Sequence, residues 1–329
     1  MQAFEYANPK TLQEAFGLLS EKWGEADVLA GGTDLLSLLK SYLHTPKRVV
    51  SLSGIKELRG IRTAADGLHI GAMVTLEELL DHPAVRKDYP ALVQAARGVA
   101  SPQIQARGTV GGDLCQRPRC WYFRNGYGLL GRDAAGRELV PGGENRYHAI
   151  LGNRGPAKFV SASSLGPPLQ ALGAKVVLAS AAGKRTVDME AFFVTPADAT
   201  TREVDLKPNE ILTEVVAPPA GGARTATYEV RQREALDWPL ATASVALRMS
   251  GETVESARVV LGHVAPAPWT SAEAARALAG RRLDEATAGA AAEAALAAAT
   301  PLSQNHYKVQ LAKVAVKRAL LAAVGGATS

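Results

Sequence analysis

The spacing of apolar and polar positions predicts a small α/β unit at the start of the chain. Apolar residues recur at helical spacing within residues 12–19, which favours an amphipathic helix. Short apolar runs at 27–30 and 48–51 are typical of strands, and residues 34–40 between them have a helical pattern. This order of elements predicts a parallel βαβ part within residues 1–55.

The pattern continues with alternating segments that predict a larger α+β part. Strands at 58–61 and 68–71 are separated by Asp66-Gly67, a strong signal for a hairpin turn. A helix is predicted from Thr75, and a continuous one over 84–99.

A proline- and glycine-rich segment, Pro218 to Gly222, is the clearest domain boundary in the sequence. We therefore predict one domain over 1–220, divided into 1–55 and 56–220, and a second domain over 221–329. Strands predicted at 225–231, 243–249 and 256–262, followed by Ala-rich helices, favour a three-stranded antiparallel sheet with helices on one face.

Composition narrows the class of protein without identifying it. The chain has 329 residues, 47% of them hydrophobic, and a net charge of +5 with both signs scattered along it. A nucleic-acid binder would concentrate its basic residues in one patch. No apolar run reaches the length of a membrane span.

The N-terminus lacks the basic and apolar regions of a secretion signal, and there are only two cysteines. These features predict a cytoplasmic protein, although export with a partner that carries the signal stays open.

Two glycine pairs are the most informative local feature. Ala30-Gly31-Gly32-Thr33-Asp34 and Thr109-Val110-Gly111-Gly112-Asp113 each join apolar residues to a polar turn. Glycine permits positive φ and close approach of a ligand to the backbone, and consecutive N–H groups can form a nest that binds an anion. Neither standard phosphate motif is present. Each glycine pair alone is better explained as an ordinary tight strand-to-helix turn, but the two together support the hypothesis that both bends enclose one diphosphate.

Three motifs in this order resemble those of the FAD-binding medium subunits of the molybdenum hydroxylases, which include xanthine, aldehyde and carbon monoxide dehydrogenases. The motifs are Ala-Gly-Gly-Thr-Asp-Leu-Leu (30–36), Thr-Val-Gly-Gly-Asp-Leu (109–114) and Glu-Val-Arg-Gln-Arg-Glu-Ala-Leu-Asp-Trp-Pro-Leu-Ala (229–241). The resemblance implies an α+β fold: a two-part FAD-binding domain of the vanillyl-alcohol-oxidase (PCMH) type and a smaller α+β C-terminal domain.

The same resemblance implies the residues that contact a non-covalently bound FAD. Residues 29–36 and 109–113 would wrap its diphosphate, Val99 would lie near the cofactor, and Leu212 near the isoalloxazine ring. The full set is Leu29, Ala30, Gly31, Gly32, Thr33, Asp34, Leu35, Leu36, Val99, Thr109, Val110, Gly111, Gly112, Asp113, Ser164, Leu212 and Glu229. No catalytic and no metal-ligating residue is predicted.

Two positions depart from the family pattern. Ser164 stands where relatives often have an acid that contacts FAD, so it lacks charge assistance for a hydrogen bond. Glu229 stands where relatives often have a lysine, so either the alignment slips or the flavin has a different potential.

An irregular segment at 115–158, here called the insertion, resembles that of the aldehyde oxidoreductase branch, where four cysteines hold a [4Fe–4S] cluster. This chain has only Cys115 and Cys120, too few for such a cluster, so no iron–sulfur cluster is expected. Its aromatic residues argue against disorder. It is either an ordered loop with an aromatic cluster or a segment that docks a partner or shields the flavin.

The function implied is electron transfer. A large molybdopterin subunit would oxidise the substrate, a small subunit with [2Fe–2S] clusters would pass electrons to this FAD, and NAD or another acceptor would receive them. Two alternatives stay open: a free-standing FAD oxidoreductase, and a flavin-free assembly or nucleotide-binding protein of the same fold.

Overall fold

The computed structural model describes residues 1–99, 101–233 and 236–325. The N-terminal part contains a parallel sheet with strand order β1-β3-β2, as the βαβ prediction requires. Its elements are β1 (Glu5–Ala7), α1 (Leu12–Leu18), β2 (Ala26–Leu29), α2 (Leu35–Lys40) and β3 (Arg48–Ser51).

The second sheet is antiparallel, with strand order β4-β5-β8-β6-β7. Its strands are β4 (Ile61–Ala64), β5 (Gly67–Gly71), β6 (Lys175–Ser180), β7 (Gly183–Asp188) and β8 (Ile211–Ala217). The predicted hairpin between β4 and β5 is present. Gly67 has φ +137°, and a Cβ there would lie 3.0 Å from the Ala217 carbonyl carbon, so both conformation and space require glycine.

Short helices connect and cover this sheet. They are a 3₁₀ turn (Lys56–Leu58), α3 (Leu76–Asp81), α4 (Pro83–Asp88), α5 (Pro90–Arg97), α6 (Pro102–Arg107), α7 (Val110–Cys115), α8 (Trp121–Arg124), α9 (Gly166–Leu172) and α10 (Met189–Phe192). The prediction of one continuous helix over 84–99 is wrong. Pro90 lacks an N–H and restricts Tyr89, which has φ −130° and ψ 57°, so the helix breaks there.

The C-terminal sheet has four strands, in the order β12-β11-β10-β9, so the prediction of three is wrong. The missed strand is β12 (Trp269–Thr270), which pairs with Val260 and Leu261. It is only two residues long, too short to show alternation in the sequence. The elements are β9 (Arg224–Arg231), β10 (Pro239–Ser250), β11 (Thr253–Gly262), β12 (Trp269–Thr270), α11 (Ala272–Leu278), α12 (Glu285–Ala295) and α13 (Tyr307–Ala323).

The large hydrophobic clusters follow this layout. One contains buried residues of both the antiparallel sheet and helices α3–α5. Another lies between strands β9–β11 and the Ala-rich helices α11–α13. Alanine on α13 lets this helix pack closely on β9 and β10, and alanine on α12 lets that helix pack against α11 and α13, because its side chain fills little space. No helix among the described residues is both long and apolar enough to cross a membrane.

Candidate functional site

The first glycine bend presents a row of backbone donors. It follows β2 and leads into α2, and Gly32 has φ +78°. The N–H groups of residues 31–35 donate no hydrogen bond to any residue that the structure describes. Consecutive free N–H groups in such a turn form an anion-binding nest. This bend therefore has the donors that a diphosphate requires.

The second bend is built differently from the prediction. Residues 110–115 form the short helix α7, and the Thr109 hydroxyl caps it by accepting from Gly112 N at 3.0 Å. The N–H groups of Val110 and Gly111 donate to the Val74 and Ala72 carbonyls, both at 2.9 Å, and Asp113 N donates to Thr109 O. The expectation that this bend offers a second row of free N–H groups is therefore wrong.

Gly111 and Gly112 are needed for packing. A Cβ on Gly111 would lie 2.9 Å from the Ala72 Cβ, so the glycine lets α7 rest on the end of β5. A Cβ on Gly112 would meet the Thr109 hydroxyl at 2.9 Å and the Ala30 Cβ at 4.0 Å. Gly112 is thus the member of the pair that faces the first bend.

The first bend directly contacts Arg107 and Gly108, which lead into the second bend. A Cβ on Gly31 would lie 2.7 Å from the Arg107 carbonyl carbon and 3.3 Å from the Gly108 Cα. Only a residue without a side chain permits this approach. Two stretches about eighty residues apart in sequence therefore form one structural unit.

Two neighbouring cavities open on this unit. The first, of about 170 Å³, is lined by both bends and by Leu212, and the second, of about 250 Å³, by Val99, Asp113 and Ser164. Both cavities are lined by Thr33, Thr109, Gly112 and Gln116. The bends therefore lie where the two cavities adjoin.

Most predicted site residues line these cavities. Those in the first are Ala30, Gly31, Gly32, Thr33, Asp34, Leu35, Thr109, Gly111, Gly112 and Leu212. Leu29, Leu36, Val110 and Glu229 line neither. Leu29 and Leu36 instead support the bend, because a Cβ on Gly32 would lie 3.3 Å from a methyl carbon of each.

Asp34 binds the insertion and not its own bend. Its carboxylate accepts from Arg119, from Arg124 at 2.8 Å and from Arg117 N at 2.8 Å. Burial opposes ionisation of Asp34, but the arginine charges outweigh it and hold its pKa below the ordinary value. The insertion is thereby fixed across the first bend.

Asp113 joins α7 to the segment before α9. Its carboxylate accepts from the Ser163 hydroxyl at 2.5 Å, Leu165 N at 2.9 Å and Ser164 N at 3.3 Å. Burial raises the pKa of Asp113, and these hydrogen bonds partly offset that effect. The side chain therefore holds the second bend in place.

Glu229 lies behind Gly98 and is paired with a cation. A Cβ on Gly98 would lie 2.9 Å from the Glu229 Cδ, and Arg231 forms an ion pair with Glu229 and donates to the Gly98 carbonyl. Burial raises the pKa of Glu229, and Arg231 partly offsets that effect. The alternation of β9 places residues two apart on one face, so the pattern could have identified Arg231.

The far wall of the first cavity contains residues that the sequence reasoning missed. The Arg202 guanidinium carbon lies 3.9 Å from the centre of the Trp23 ring. Its buried Nε has no hydrogen-bond partner within the described ranges, and burial lowers the pKa of Arg202 to about 10. No local motif marks either residue, because they come from distant loops.

The insertion is an ordered segment with clustered aromatic rings. Trp121 lies 5.6 Å from Tyr147 and 6.2 Å from His148 between ring centres. Burial raises the pKa of Cys115 to about 12 and that of Cys120 above its usual range, so both are thiols. The part of the chain that the structure describes contains no group of three or more His, Cys, Asp or Glu that could hold a metal.

Comparison with protein families identifies both halves of the chain. The family described as "FAD binding domain in molybdopterin dehydrogenase" matches residues 2–220, and the "CO dehydrogenase flavoprotein C-terminal domain" matches residues 226–323.

Similar proteins match over almost their whole length. The carbon monoxide dehydrogenase medium chain of Hydrogenophaga pseudoflava is 32% identical, with 97% of this chain and 96% of that one covered. The aldehyde oxidoreductase FAD-binding subunit PaoB of Escherichia coli is also 32% identical, with 95% and 96% covered.

Solved structures show the same fold. A chain of quinoline 2-oxidoreductase from Pseudomonas putida superposes with a TM-score of 0.77 at 28% identity, covering 98% of both chains. A chain of carbon monoxide dehydrogenase from Hydrogenophaga pseudoflava gives 0.76 at 30% identity, covering 99% of this chain and 98% of that one. The protein therefore belongs to the family of FAD-binding medium subunits of the molybdenum hydroxylases, which are FAD-dependent oxidoreductase subunits.

Proposed function

We propose that this chain binds one FAD without a covalent link, with the diphosphate held between the two glycine bends. The observation that carries the proposal is the row of free N–H groups at residues 31–35, next to a second bend whose own N–H groups are occupied. The first bend supplies the hydrogen bonds to phosphate oxygens. The second supplies the flat surface of Gly112 and the Thr109 hydroxyl.

The residues that line the two cavities suggest which end of the extended cofactor lies in each. The first cavity suits the adenosine end, because the Trp23 ring and the Arg202 side chain line it. The second suits the isoalloxazine ring, with Leu76, Val99 and Ile104 among its apolar lining residues. In this orientation Leu212 contacts the adenosine end, which replaces the expectation that it lies near the flavin ring.

The residues around the second cavity set the environment of the ring. FAD, when bound, accepts electrons and passes them on, and the protein tunes it through nearby charge. Arg231 supplies a cation close to Gly98, two residues after the position of Glu229, where the family resemblance implies a lysine, and Glu229 neutralises it. The pair therefore stabilises added electron density on the flavin less than a lone cation does.

The proposed role is electron transfer within a multi-subunit complex. A small [2Fe–2S] subunit delivers electrons, a large molybdopterin subunit oxidises the substrate, and NAD or another carrier is the acceptor. Support comes from the relatives, which are named medium chains and FAD-binding subunits. We further propose that this chain holds no iron–sulfur cluster, that its domains divide near residue 220, and that the complex acts in the cytoplasm.

The visible spectrum of the purified chain tests the cofactor assignment. Flavin absorption at one FAD per chain, released by mild denaturation, is the expected result. A colourless chain that cannot take up added FAD favours a flavin-free assembly protein. Co-purification with two further subunits distinguishes the electron-transfer subunit from a free-standing oxidoreductase, which would oxidise substrate alone.

A further inference from the structure

The insertion contributes a cation to the wall of the second cavity. Arg119, which lies between α7 and α8, is the one arginine or lysine among the described residues that line this cavity. Its side chain is 27% exposed, so most of it is inside the protein. Two carboxylates, those of Asp113 and Asp237, line the same cavity. The cavity that suits the isoalloxazine ring therefore contains charges of both signs, and the positive one comes from the insertion.

The Arg119 guanidinium bridges the two bends. Its Nη1 donates to the Asp34 carboxylate of the first bend, and its Nη2 donates to the Gln116 side-chain oxygen at 2.7 Å. Gln116 follows α7 and donates in turn to the Asp113 carboxylate at 2.9 Å and to the Asp113 carbonyl at 3.1 Å. A guanidinium presents its N–H groups in a rigid fork. Partners on two different nitrogens therefore fix its orientation.

A third contact comes from the C-terminal domain. The Arg119 guanidinium carbon lies 4.8 Å from the centre of the Trp238 ring, which lines the same cavity just before β10. An arginine over an aromatic face is attracted by the ring. Three separate parts of the chain thus hold this group in place. A charge that is fixed in advance acts on a ligand without a cost of reorganisation.

Asp34 does not cancel the charge of Arg119 alone. Its carboxylate also accepts from Arg124 at 2.8 Å, so two guanidinium groups share one carboxylate. Arg124 lines neither of the two cavities. Asp113 and Asp237 oppose Arg119 within the second cavity, but they do not decide the direction of its effect. Removal of one positive charge makes the electrostatic potential in the cavity more negative whatever other charges are present.

We propose that Arg119 is the residue by which the insertion sets the redox potential of the bound flavin. The inference rests on the proposed function, because it requires the isoalloxazine ring in the second cavity. Reduction adds two electrons and one proton to the ring, so the reduced flavin carries one more negative charge than the oxidised flavin. A fixed cation beside the ring favours the reduced form. This role of the insertion needs no iron–sulfur cluster.

Spectroelectrochemistry of the purified full-length chain with its bound FAD tests the proposal. Arg119→Gln removes the charge but keeps a side chain that can donate a hydrogen bond to Asp34. We expect the preference for reduced over oxidised FAD to fall by about tenfold, which lowers the midpoint potential of a two-electron couple by about 30 mV.

Two further variants separate charge from structure. Arg119→Lys keeps the charge but loses the fork, so it should give a potential close to that of the parent. Arg137→Gln is the matched control, because it makes the same change elsewhere in the insertion. The Arg137 side chain is 79% exposed, pairs with Asp133 and lines neither cavity. Its potential should equal that of the parent.

Circular dichroism and FAD content show whether each variant folds and holds the cofactor. If Arg119→Gln does not, Arg119→Met takes its place, because methionine keeps an unbranched side chain against Trp238 without the charge. If neither holds FAD, Arg119 acts by keeping the site together and the proposal is overturned. An unchanged or raised potential in the folded variant also overturns it, as does an Arg119→Lys variant whose potential falls as far as that of Arg119→Gln.

Failure of this inference is distinct from failure of the proposed function. A parent chain that holds FAD, with the same potential in Arg119→Gln, refutes the role of Arg119 and leaves the proposed function intact. A parent chain that takes up no FAD refutes the proposed function, and this inference with it.

Discussion

Gly31→Ala tests directly whether the two bends must touch. The new Cβ would lie 2.7 Å from the Arg107 carbonyl carbon, whereas carbon atoms in contact are ordinarily about 3.5–4.0 Å apart. The Arg107 carbonyl oxygen lies closer still, so one of the two segments must move by more than about 1 Å. Overpacking of this kind costs about 1–3 kcal/mol, and it displaces the row of N–H groups from the phosphates.

Flavin fluorescence measures the FAD affinity of the refolded or cofactor-stripped chain. Thermal unfolding with and without FAD measures how much the cofactor stabilises the fold. A loss of about 1.4 kcal/mol in binding is a tenfold increase in Kd, and we expect at least that change. The FAD-dependent rise in melting temperature should shrink accordingly.

Gly17→Ala is the matched control. It makes the same change within α1, where a Cβ would meet nothing within 4 Å, and alanine favours a helix over glycine by about 0.5–1 kcal/mol. It should leave FAD affinity unchanged and stability equal or higher. If Gly31→Ala also binds FAD as tightly as the parent, the close approach of the bends has no part in holding the cofactor.

Three further predictions concern charge. Asp34→Asn leaves two arginines of the insertion without their carboxylate, so stability should fall by about 2 kcal/mol, and limited proteolysis should cut the insertion faster; equal cutting rates would contradict its role as an anchor. Glu229→Gln leaves the Arg231 charge unneutralised, so the flavin midpoint potential measured by spectroelectrochemistry should rise, and a lower potential would refute the assigned sign. Unfolded histidine titrates near 6.5, whereas burial lowers the pKa of His148 to about 4 and that of His263 to about 3. The unfolded chain therefore binds more protons below pH 6.5, and urea unfolding should show stability falling from pH 6.5 to 4 by about 3 kcal/mol per histidine. His148→Phe should weaken that slope, and a pH-independent stability would contradict it.

Local patterns were sufficient for the outline of the fold. The βαβ unit follows from clear changes between periods of two and 3.6, and the Asp66-Gly67 turn specifies the β4–β5 hairpin of the antiparallel sheet. The helix break before Pro90 was not predicted. Proline restricts the backbone of the residue before it, so this break could have been inferred from the sequence. Local patterns could not reveal a strand of two residues, which only pairing with β11 defines.

The sequence identified most residues of the site but not the hydrogen bonds and contacts that they make. The glycine pairs were identifiable because residue type limits backbone geometry. Which bend keeps its N–H groups free was not, because the carbonyls of Ala72 and Val74 come from another strand end. The same holds for Arg202, whose place above Trp23 is set by tertiary packing.

Amide hydrogen exchange at residue resolution, with and without FAD, tests the central claim most directly. The account predicts that FAD protects the amides of residues 31–35, which are free in the chain alone, and leaves those of 110–113 unchanged, because they are already bonded. Protection at 110–113 without protection at 31–35, in a chain that has bound FAD, would contradict it.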